Sequence, residues 1–234
     1  MAEFGFEHFR REFVDGVSGA AGAVGAAARE TSGDFTRMKR FFSVGKDIAR
    51  SGMVGSHGGN MSECDGNGLW ITRRDTMLGH LGSSEVVKTY LSPTDLDEKA
   101  SRELVVHRAM YGAWAAVTAG LNEGFGQRAI VHVHAKYTVL RSLLQDEICP
   151  VDSEGKLMLG QRVSVLDFED SIGSSDVASA MATLVSNGAS IGVVRGHGPF
   201  AMADSLQNAL RLVSCLEYSC ELLYLLDNAR KNSE

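Results

Sequence analysis

Short β-type runs alternate with helical runs between residues 34 and 228, and this alternation restricts the fold more than any other feature. The turn sequence Asp65-Gly66-Asn67-Gly68 precedes an apolar run at 69–71 and predicts a β-hairpin. Before it, Asp34 can cap a first helix that Gly52 would stop. Strands joined by hairpins and interleaved with helices indicate a layered domain of the α/β or α+β class.

The remaining elements follow from the spacing of apolar residues. Helices are predicted over residues 34–50, 93–117, 136–144, 174–186 and 205–228. Strands are predicted over residues 69–71, 85–91, 129–134, 161–168, 191–195 and 200–202. Residues 152–155, which lie outside these elements, are interpreted as part of a surface loop.

Residues 1–35 differ from the rest of the chain. Phe4, Phe6, Phe9 and Phe13 stand among charges and could form a short amphipathic helix. Residues 16–28 are Gly, Ala, Val and Ser only, which predicts a flexible or weakly helical linker. We expect an N-terminal arm and linker over 1–35, with one domain over 36–234. The arm could pack on its own domain, on a neighbouring subunit or on a membrane surface.

Composition excludes several classes of protein. The 234 residues suffice for one domain, or at most two small ones. With 23 Lys and Arg against 29 Asp and Glu, the net charge of -6 argues against non-specific nucleic-acid binding. Four cysteines form no CxxC pair and suit reduced thiols. No run approaches the roughly 18 apolar residues of a membrane helix, and the N-terminus does not resemble a signal peptide. We therefore expect a cytoplasmic protein without a membrane anchor.

The most specific chemical pattern is His132-Val133-His134 in an apolar run. Side chains two apart on a strand point to the same face, so the two imidazoles could chelate one divalent ion. The alternative is a hydrogen-bonded histidine pair at a strand end. In Gly196-His197-Gly198, glycines flank a further histidine at the end of another predicted strand. His197 could complete a three-histidine catalytic metal site, or the segment could be a plain tight turn.

Two other patterns bear on the chemistry. Glu103 precedes His107 by one predicted helical turn and could be a metal ligand, a general base, a partner of His107 or a solvated side chain. The spacing is not that of an HExxH metalloprotease. The Gly-rich sequence Gly55-Ser56-His57-Gly58-Gly59-Asn60 could form an anion-binding nest or a flexible connector. His57 has no partner at a recognisable spacing and is interpreted as structural.

Taken in order, these motifs resemble the class II aldolase/adducin family, which contains fuculose-1-phosphate aldolase. The matching motifs are Gly59-Asn60-Met61-Ser62, Ile71-Thr72, Ser101-x-Glu103 with His107 and Tyr111, His132-Val133-His134, and Gly196-His197-Gly198. They extend over roughly residues 36–228 and leave the N-terminal arm outside the resemblance. The resemblance implies a mainly antiparallel central sheet flanked by helices. It also implies one zinc-type ion per subunit (Zn²⁺, with Mn²⁺ or Co²⁺ as alternatives) and a homotetramer with active sites between subunits.

The resemblance also implies roles for individual residues. It makes His132, His134 and His197 the metal ligands, and Glu103 a catalytic acid/base that can also reach the metal. Residues that would hold the phosphate of the substrate are Gly59, Asn60 and Ser101.

The chain departs from the family pattern in three respects. Where family aldolases often have Ile-Thr-Pro-Thr-Gly, this chain has Ile71-Thr72-Arg73-Arg74-Asp75, and Arg102 replaces a second serine. Because arginine grips phosphate or carboxylate in a bidentate fork, Arg74 and Arg102 are expected to bind an anionic sugar-phosphate substrate. The tyrosine proton donor of some members has no counterpart. Asp152 or Glu154 of a neighbouring subunit is the hypothesis for that role.

The resemblance implies a class II, metal-dependent aldehyde-lyase of carbohydrate metabolism. It would cleave a ketose 1-phosphate to dihydroxyacetone phosphate and an aldehyde through a metal-stabilised enediolate, with Glu103 shuttling the proton. Alternatives on the same metal site are a pentulose-phosphate epimerase, a methylthio-pentulose-phosphate dehydratase and a sugar-acid decarboxylase. A non-catalytic adducin-like interaction module is the alternative of a different class.

Overall fold

The computed structural model describes the backbone of residues 21–232 and the side chains of residues 33–232. The helices in this part of the chain are α1 (Ala21–Arg50), α2 (Leu104–Gly120), α3 (Lys136–Ser142), α4 (Ser153–Leu159), α5 (Ser175–Ser186) and α6 (Leu206–Lys231). The strands are β1 (Asn60–Cys64), β2 (Leu69–Thr72), β3 (Val86–Thr89), β4 (Arg128–His132), β5 (Glu147–Ile148), β6 (Val163–Leu166), β7 (Ile191–Val194) and β8 (Gly198–Ala203). Short 3₁₀ turns cover Leu78–His80, Ser83–Glu85 and Asp95–Lys99.

The eight strands form one sheet in the order β3-β2-β1-β4-β8-β7-β6-β5. Neighbouring strands are antiparallel except for β6 and β7, which run parallel. The predicted hairpin is confirmed as β1 and β2, and Asp65 Oδ1 accepts hydrogen bonds from the N–H groups of Asn67 (3.0 Å) and Gly68 (2.9 Å). The mainly antiparallel sheet flanked by helices is the fold class that the sequence indicates.

Apolar side chains cover both faces of the sheet, as the alternation along β4 shows. Val131 points into one core, built with α1 and α6, whereas Ile130 points into a second core, built with α2 and α5. Residues that alternate along a strand face opposite sides, so both faces of this strand are buried. The centre of the sheet is therefore rigid, and the site described below lies at the end of β4.

The helix predicted over residues 93–117 is divided in the structure. A 3₁₀ turn ends at Lys99 and α2 begins only at Leu104. Between them, Ser101 N–H donates to the Thr72 carbonyl (3.1 Å) and Lys99 C=O accepts from Arg74 N–H (3.0 Å). These bonds to the segment after β2 replace helical ones. Residues 100–103 consequently form a bend beside β2.

The first helix is longer than predicted. It begins at Ala21 instead of near Asp34, so helix extends into the Gly- and Ala-rich stretch. Glu63 on β1 anchors this helix, because its buried carboxylate accepts from Arg40 Nε (2.8 Å) and Arg37 Nε (3.3 Å). The division at residue 35 remains a prediction, and the four phenylalanines of the arm lie outside the described residues.

Two elements were not predicted, the short strand β5 and the helix α4. The stretch 152–155 is the start of α4, and Asp152 Oδ1 caps it by accepting from Gly155 N–H (2.7 Å). Its interpretation as a surface loop was therefore wrong. None of the described helices combines the length and apolar character needed to cross a bilayer.

Candidate metal centre and pocket

Three histidines from two distant parts of the chain meet at one end of the sheet. His132 is the last residue of β4, and His134 follows the strand just before α3. His197 lies in the turn between β7 and β8, and β8 pairs with β4 so that Phe200 stands opposite His132. The pairing of β4 with β8 thus brings His132 and His197 together, although they are 65 residues apart in the sequence.

The three imidazoles have the spacing of ligands around one ion. Their ring centroids lie 5.1 Å (His132 to His134), 4.5 Å (His132 to His197) and 4.8 Å (His134 to His197) apart. The Nε2 atoms of His132 and His197 are 3.2 Å apart. Two nitrogens on a tetrahedral zinc, at bonds of about 2.0–2.1 Å, lie about 3.3–3.4 Å apart. The donor set fits a divalent cation of this size.

The protonation states of the three imidazoles also favour metal binding. His132 Nδ1 donates to the Pro199 carbonyl (3.0 Å), which leaves the lone pair of Nε2 directed toward His197. Burial lowers the pKa of His132 well below its usual value, and the pKa of His134 in the same direction. Burial, with a smaller contribution from His134, lowers the pKa of His197 to about 4. The imidazoles are therefore neutral at pH 7, the form that binds metals.

Glu103 is a buried carboxyl beside this cluster. Its Oε1 lies 4.0 Å from His197 Nε2. Burial raises the pKa of Glu103 to about 7, with the Gly173 backbone N–H opposing this effect and Asp170 adding to it. A carboxyl with this pKa can both accept and release a proton near neutral pH.

His107 and Glu103 do not form a side-chain pair. His107 is fully buried, and its Nδ1 lies 2.6 Å from Ser62 Oγ, which in turn lies 2.7 Å from the Tyr111 hydroxyl. Burial lowers the pKa of His107 to about 3, so its ring is neutral. Its edge meets Phe200, which stacks on His132 at 3.9 Å. His107 therefore contacts the site indirectly, through Phe200, which stacks on His132.

The Gly-rich turn before β1 approaches the histidine segment closely. A Cβ on Gly58 would lie 2.9 Å from His134 Nδ1, and a Cβ on Gly59 would lie 2.7 Å from the His132 carbonyl oxygen. Gly59 also has a φ of +77°, which favours glycine. Glycine is needed here because of proximity to the histidines.

A single pocket opens over these groups, and all nine residues singled out from the sequence line it. They are Gly59, Asn60, Arg74, Ser101, Arg102, Glu103, His132, His134 and His197. Asn60 is buried, and its Oδ1 has no hydrogen-bond partner among the described residues. Within the same part of the chain, the exposed guanidinium groups of Arg74 and Arg102 make no ion pair.

The pocket also contains residues that sequence reasoning did not assign to it. These are His57, Arg73, Asp75, Thr76 and Ile172. Arg73 and Asp75 belong to residues 71–75, which depart from the family pattern. This departure is the sequence signal that could have identified them as pocket residues. Ile172 lies in an irregular loop without a motif. His57 is exposed at the rim, where its Nδ1 lies 3.0 Å from Ser56 Oγ.

Of the two acids considered as proton donors, Asp152 is the N-cap of α4 and Glu154 lies in its first turn, and neither lines the pocket of its own chain. Glu154 faces α6, where its Oε1 lies 3.3 Å from the Arg211 guanidinium. A contribution from either acid would therefore have to reach the pocket of another subunit.

Comparisons with known proteins identify the family of the chain and proteins with a similar fold. A family model described as class II aldolase and adducin N-terminal domain matches residues 39–224. The L-fuculose phosphate aldolase of Methanococcus maripaludis (strain C7 / ATCC BAA-1331) is 25% identical over 77% of this chain and 92% of the relative.

Solved structures show the same likeness. L-fuculose-1-phosphate aldolase from Thermus thermophilus has a TM-score of 0.74 and 26% identity, covering 84% of this chain and 96% of that chain. The sugar-phosphate aldolase from Thermotoga maritima has a TM-score of 0.64 over 82% of this chain and 95% of that chain; at 18% identity, this likeness concerns the fold alone.

Proposed function

The chain belongs to the class II aldolase and adducin N-terminal domain family, and we propose that it is a metal-dependent aldolase. The reaction would be cleavage of a ketose 1-phosphate to dihydroxyacetone phosphate and an aldehyde. The observation that carries the proposal is the convergence of three neutral imidazoles beside the buried carboxyl of Glu103. The names of the Methanococcus and Thermus relatives support the substrate class.

His132, His134 and His197 would hold one divalent ion, with Zn²⁺ as the first candidate and Mn²⁺ or Co²⁺ as alternatives. When bound, the ion would polarise the substrate carbonyl and stabilise the negative charge that develops as the carbon–carbon bond breaks. Because all three ligands are neutral, they leave most of the charge of the cation available for this purpose.

Glu103 would move the proton. Its carboxyl lies beside His197, and burial keeps its pKa near neutrality. It can take a proton from a substrate hydroxyl and return it to the carbon that the cleavage leaves electron-rich. General acid–base catalysis of this kind contributes about 10²–10⁴-fold.

The far end of the pocket would bind the phosphate. The guanidinium groups of Arg74 and Arg102 are free to form charge-assisted hydrogen bonds, and Asn60 and Ser101 add polar atoms on the same wall. Gly59 allows the backbone to approach closely. This anchoring would hold the reacting carbons beside the histidines and exclude water from the reacting end.

A sugar-acid phosphate is the second candidate substrate class. Arg73 also lines the pocket, so three arginines and the one carboxylate of Asp75 line it together, and a guanidinium group could bind a substrate carboxylate as well as a phosphate. Decarboxylation of such a substrate would use the same histidines and Glu103. A non-catalytic interaction module has no evident need for a buried, unpaired carboxyl beside three neutral histidines.

A substrate panel tests the proposal. The full chain, loaded with Zn²⁺, Mn²⁺ or Co²⁺ in turn, would be incubated with ketose 1-phosphates, pentulose phosphates and sugar-acid phosphates while product release is followed. We expect metal-dependent release of dihydroxyacetone phosphate, absent from the His132→Ala variant. Turnover of a sugar-acid phosphate alone would assign the second candidate. Lack of turnover with every class would contradict the enzymatic assignment.

A further inference from the structure

Helix α3 connects the two segments that carry the histidine cluster. It begins two residues after His134 and ends at Ser142, which contacts the turn just before His197. We propose that Glu217 and Ser142, which hold the two ends of α3, are positioning residues that set the separation of His134 and His197. This inference rests on the proposed cation site and adds to it two residues outside the pocket.

At its N-terminal end, α3 has no cap of its own. The N-cap residue is Ala135, whose side chain cannot accept a hydrogen bond. Glu217 of α6 supplies the acceptors instead, receiving the Tyr137 N–H (2.9 Å), the Thr138 N–H (2.8 Å) and the Thr138 hydroxyl (2.8 Å). A carboxylate from about 80 residues away thereby fixes the chain direction immediately after His134.

At its C-terminal end, α3 holds the other ligand segment. The Ser142 hydroxyl donates to the Val139 carbonyl (2.7 Å) and accepts from Gly196 N–H (3.0 Å). The Arg195 guanidinium donates to the Ser142 carbonyl. Gly196 has a φ of +70°, so these contacts fix a turn whose next residue is His197.

Between its ends, α3 is fastened along α6. Arg141 and Asp227 form an ion pair at 2.6 Å, and the rings of Tyr137 and Tyr224 lie 5.6 Å apart. These contacts hold α3 against α6 at its N-terminal end and along one side, and against the turn before His197 at its C-terminal end. Movement at either end would therefore change the spacing between His134 and His197.

Neither Glu217 nor Ser142 lines the pocket, so neither would touch a substrate or a cation. Their effect would act through the backbone on the orientation of the ligands. Groups that hydrogen-bond directly to metal ligands typically contribute about 10–100-fold to metal affinity. Glu217 and Ser142 bind residues next to the ligand segments, so we expect an effect at the lower end of this range. Metal affinity is accordingly the property that distinguishes positioning from a purely structural role.

The test compares Glu217→Gln and Ser142→Ala with wild type and with a matched control. Ser205→Ala removes the cap of α6, where Ser205 Oγ accepts from Asn208 N–H (3.2 Å), away from the pocket lining. Zn²⁺ affinity would be measured by chelator competition, the geometry of the site by the visible spectrum of bound Co²⁺, and folding by circular dichroism and Tm.

We expect Zn²⁺ affinity to fall at least about 10-fold in Glu217→Gln and in Ser142→Ala, with an altered Co²⁺ spectrum. Ser205→Ala should lose stability while keeping its Zn²⁺ affinity within about twofold. If Glu217→Gln does not fold, Ser142→Ala carries the test alone, since it removes one hydroxyl.

Unchanged affinity in folded variants, with wild type binding Zn²⁺, would overturn only the positioning roles. An equal loss of affinity in Ser205→Ala would also overturn them, because general destabilisation would then explain the effect. Absence of cation binding by wild type would overturn both this inference and the proposed function.

Discussion

At the scale of single residues, Glu103 combines burial with a pKa raised to about 7, which is unusual for a carboxyl. The Glu103→Gln variant keeps the size and polarity of the side chain but cannot transfer a proton. We expect kcat to fall about 10²–10⁴-fold while KM changes little, measured in steady-state assays with the substrate found in the panel.

Glu147→Gln is the control for this variant, because Glu147 is exposed on β5 and outside the pocket lining. It should leave both constants unchanged. A kcat near that of wild type in Glu103→Gln would remove Glu103 as the acid/base.

Replacing the arginines on the pocket wall is expected to change KM, the constant that Glu103→Gln should leave nearly unchanged. Arg74→Ala and Arg102→Ala each remove a guanidinium that has no ion pair among the described residues, so the fold loses little. KM for a phosphorylated substrate should rise about 10-fold or more, since charged hydrogen bonds contribute roughly 1.5–3 kcal/mol. Arg162→Ala, at an exposed position just before β6, should leave KM unchanged. A KM unaffected in both pocket variants would show that these groups do not bind the anion.

The three histidines that line the pocket could be singled out from the sequence because their motifs join histidine to β-type or glycine neighbours, as in His132-Val133-His134 and Gly196-His197-Gly198. The contacts of Glu217 with α3 could not be predicted from the sequence, since they join residues about 80 positions apart without any local pattern. The pairing of His107 with Ser62 was likewise hidden, and the spacing suggested Glu103 as its partner instead.

At the scale of elements, the bend at residues 100–103 is held by an ion pair on its N-terminal side. The Arg108 guanidinium donates to both oxygens of Asp97 (2.6 and 2.7 Å) and to the Tyr90 carbonyl (2.9 Å). Arg108 lowers the pKa of Asp97 well below its usual range. This pair connects the 3₁₀ turn, α2 and the end of β3.

Asp97→Asn should therefore destabilise the protein in a pH-dependent way. Because folding lowers the pKa of Asp97, its contribution is present above the unfolded pKa of about 3.9 and is lost as the pH falls below it. For a partly exposed pair we expect about 1 kcal/mol, or a Tm lower by about 2–4 °C at pH 7. The Tm difference should begin to narrow below about pH 4 and keep narrowing as the pH falls toward the lowered folded-state pKa of Asp97. A difference that is independent of pH would contradict the ionic origin.

Helices and strands with regular apolar spacing were predicted well, among them α5, α6 and β7. Two of the errors share a physical cause, which is that long-range hydrogen bonds override local periodicity. The helix predicted over 93–117 is interrupted by pairing with residues 72–74. The strand predicted over 129–134 ends at His132, shortly before α3, whose Tyr137 and Thr138 N–H groups donate to Glu217. Such bonds depend on the assembled sheet, which a reading of local sequence does not contain.

At the scale of the whole molecule, three leucines form an exposed apolar group at the end of α3. Leu140, Leu143 and Leu144 are exposed at the end of α3, and Leu143 lies beside Gly196. We propose that a second copy covers this patch in a homotetramer, as the family resemblance implies. Light scattering should give a mass four times that of the chain, and Leu144→Arg should lower it. Leu121→Arg, at the end of α2, is the control. A monomeric wild type would contradict the proposal.

The metal content of the purified full chain tests the central claim most directly. Elemental analysis after loading with Zn²⁺ and removal of excess metal should give one ion per chain for wild type. The count should fall to near zero for His132→Ala, with an unchanged circular dichroism spectrum. Wild type without stoichiometric metal, or a His132→Ala variant that retains one ion per chain, would show that the three imidazoles do not form a cation site.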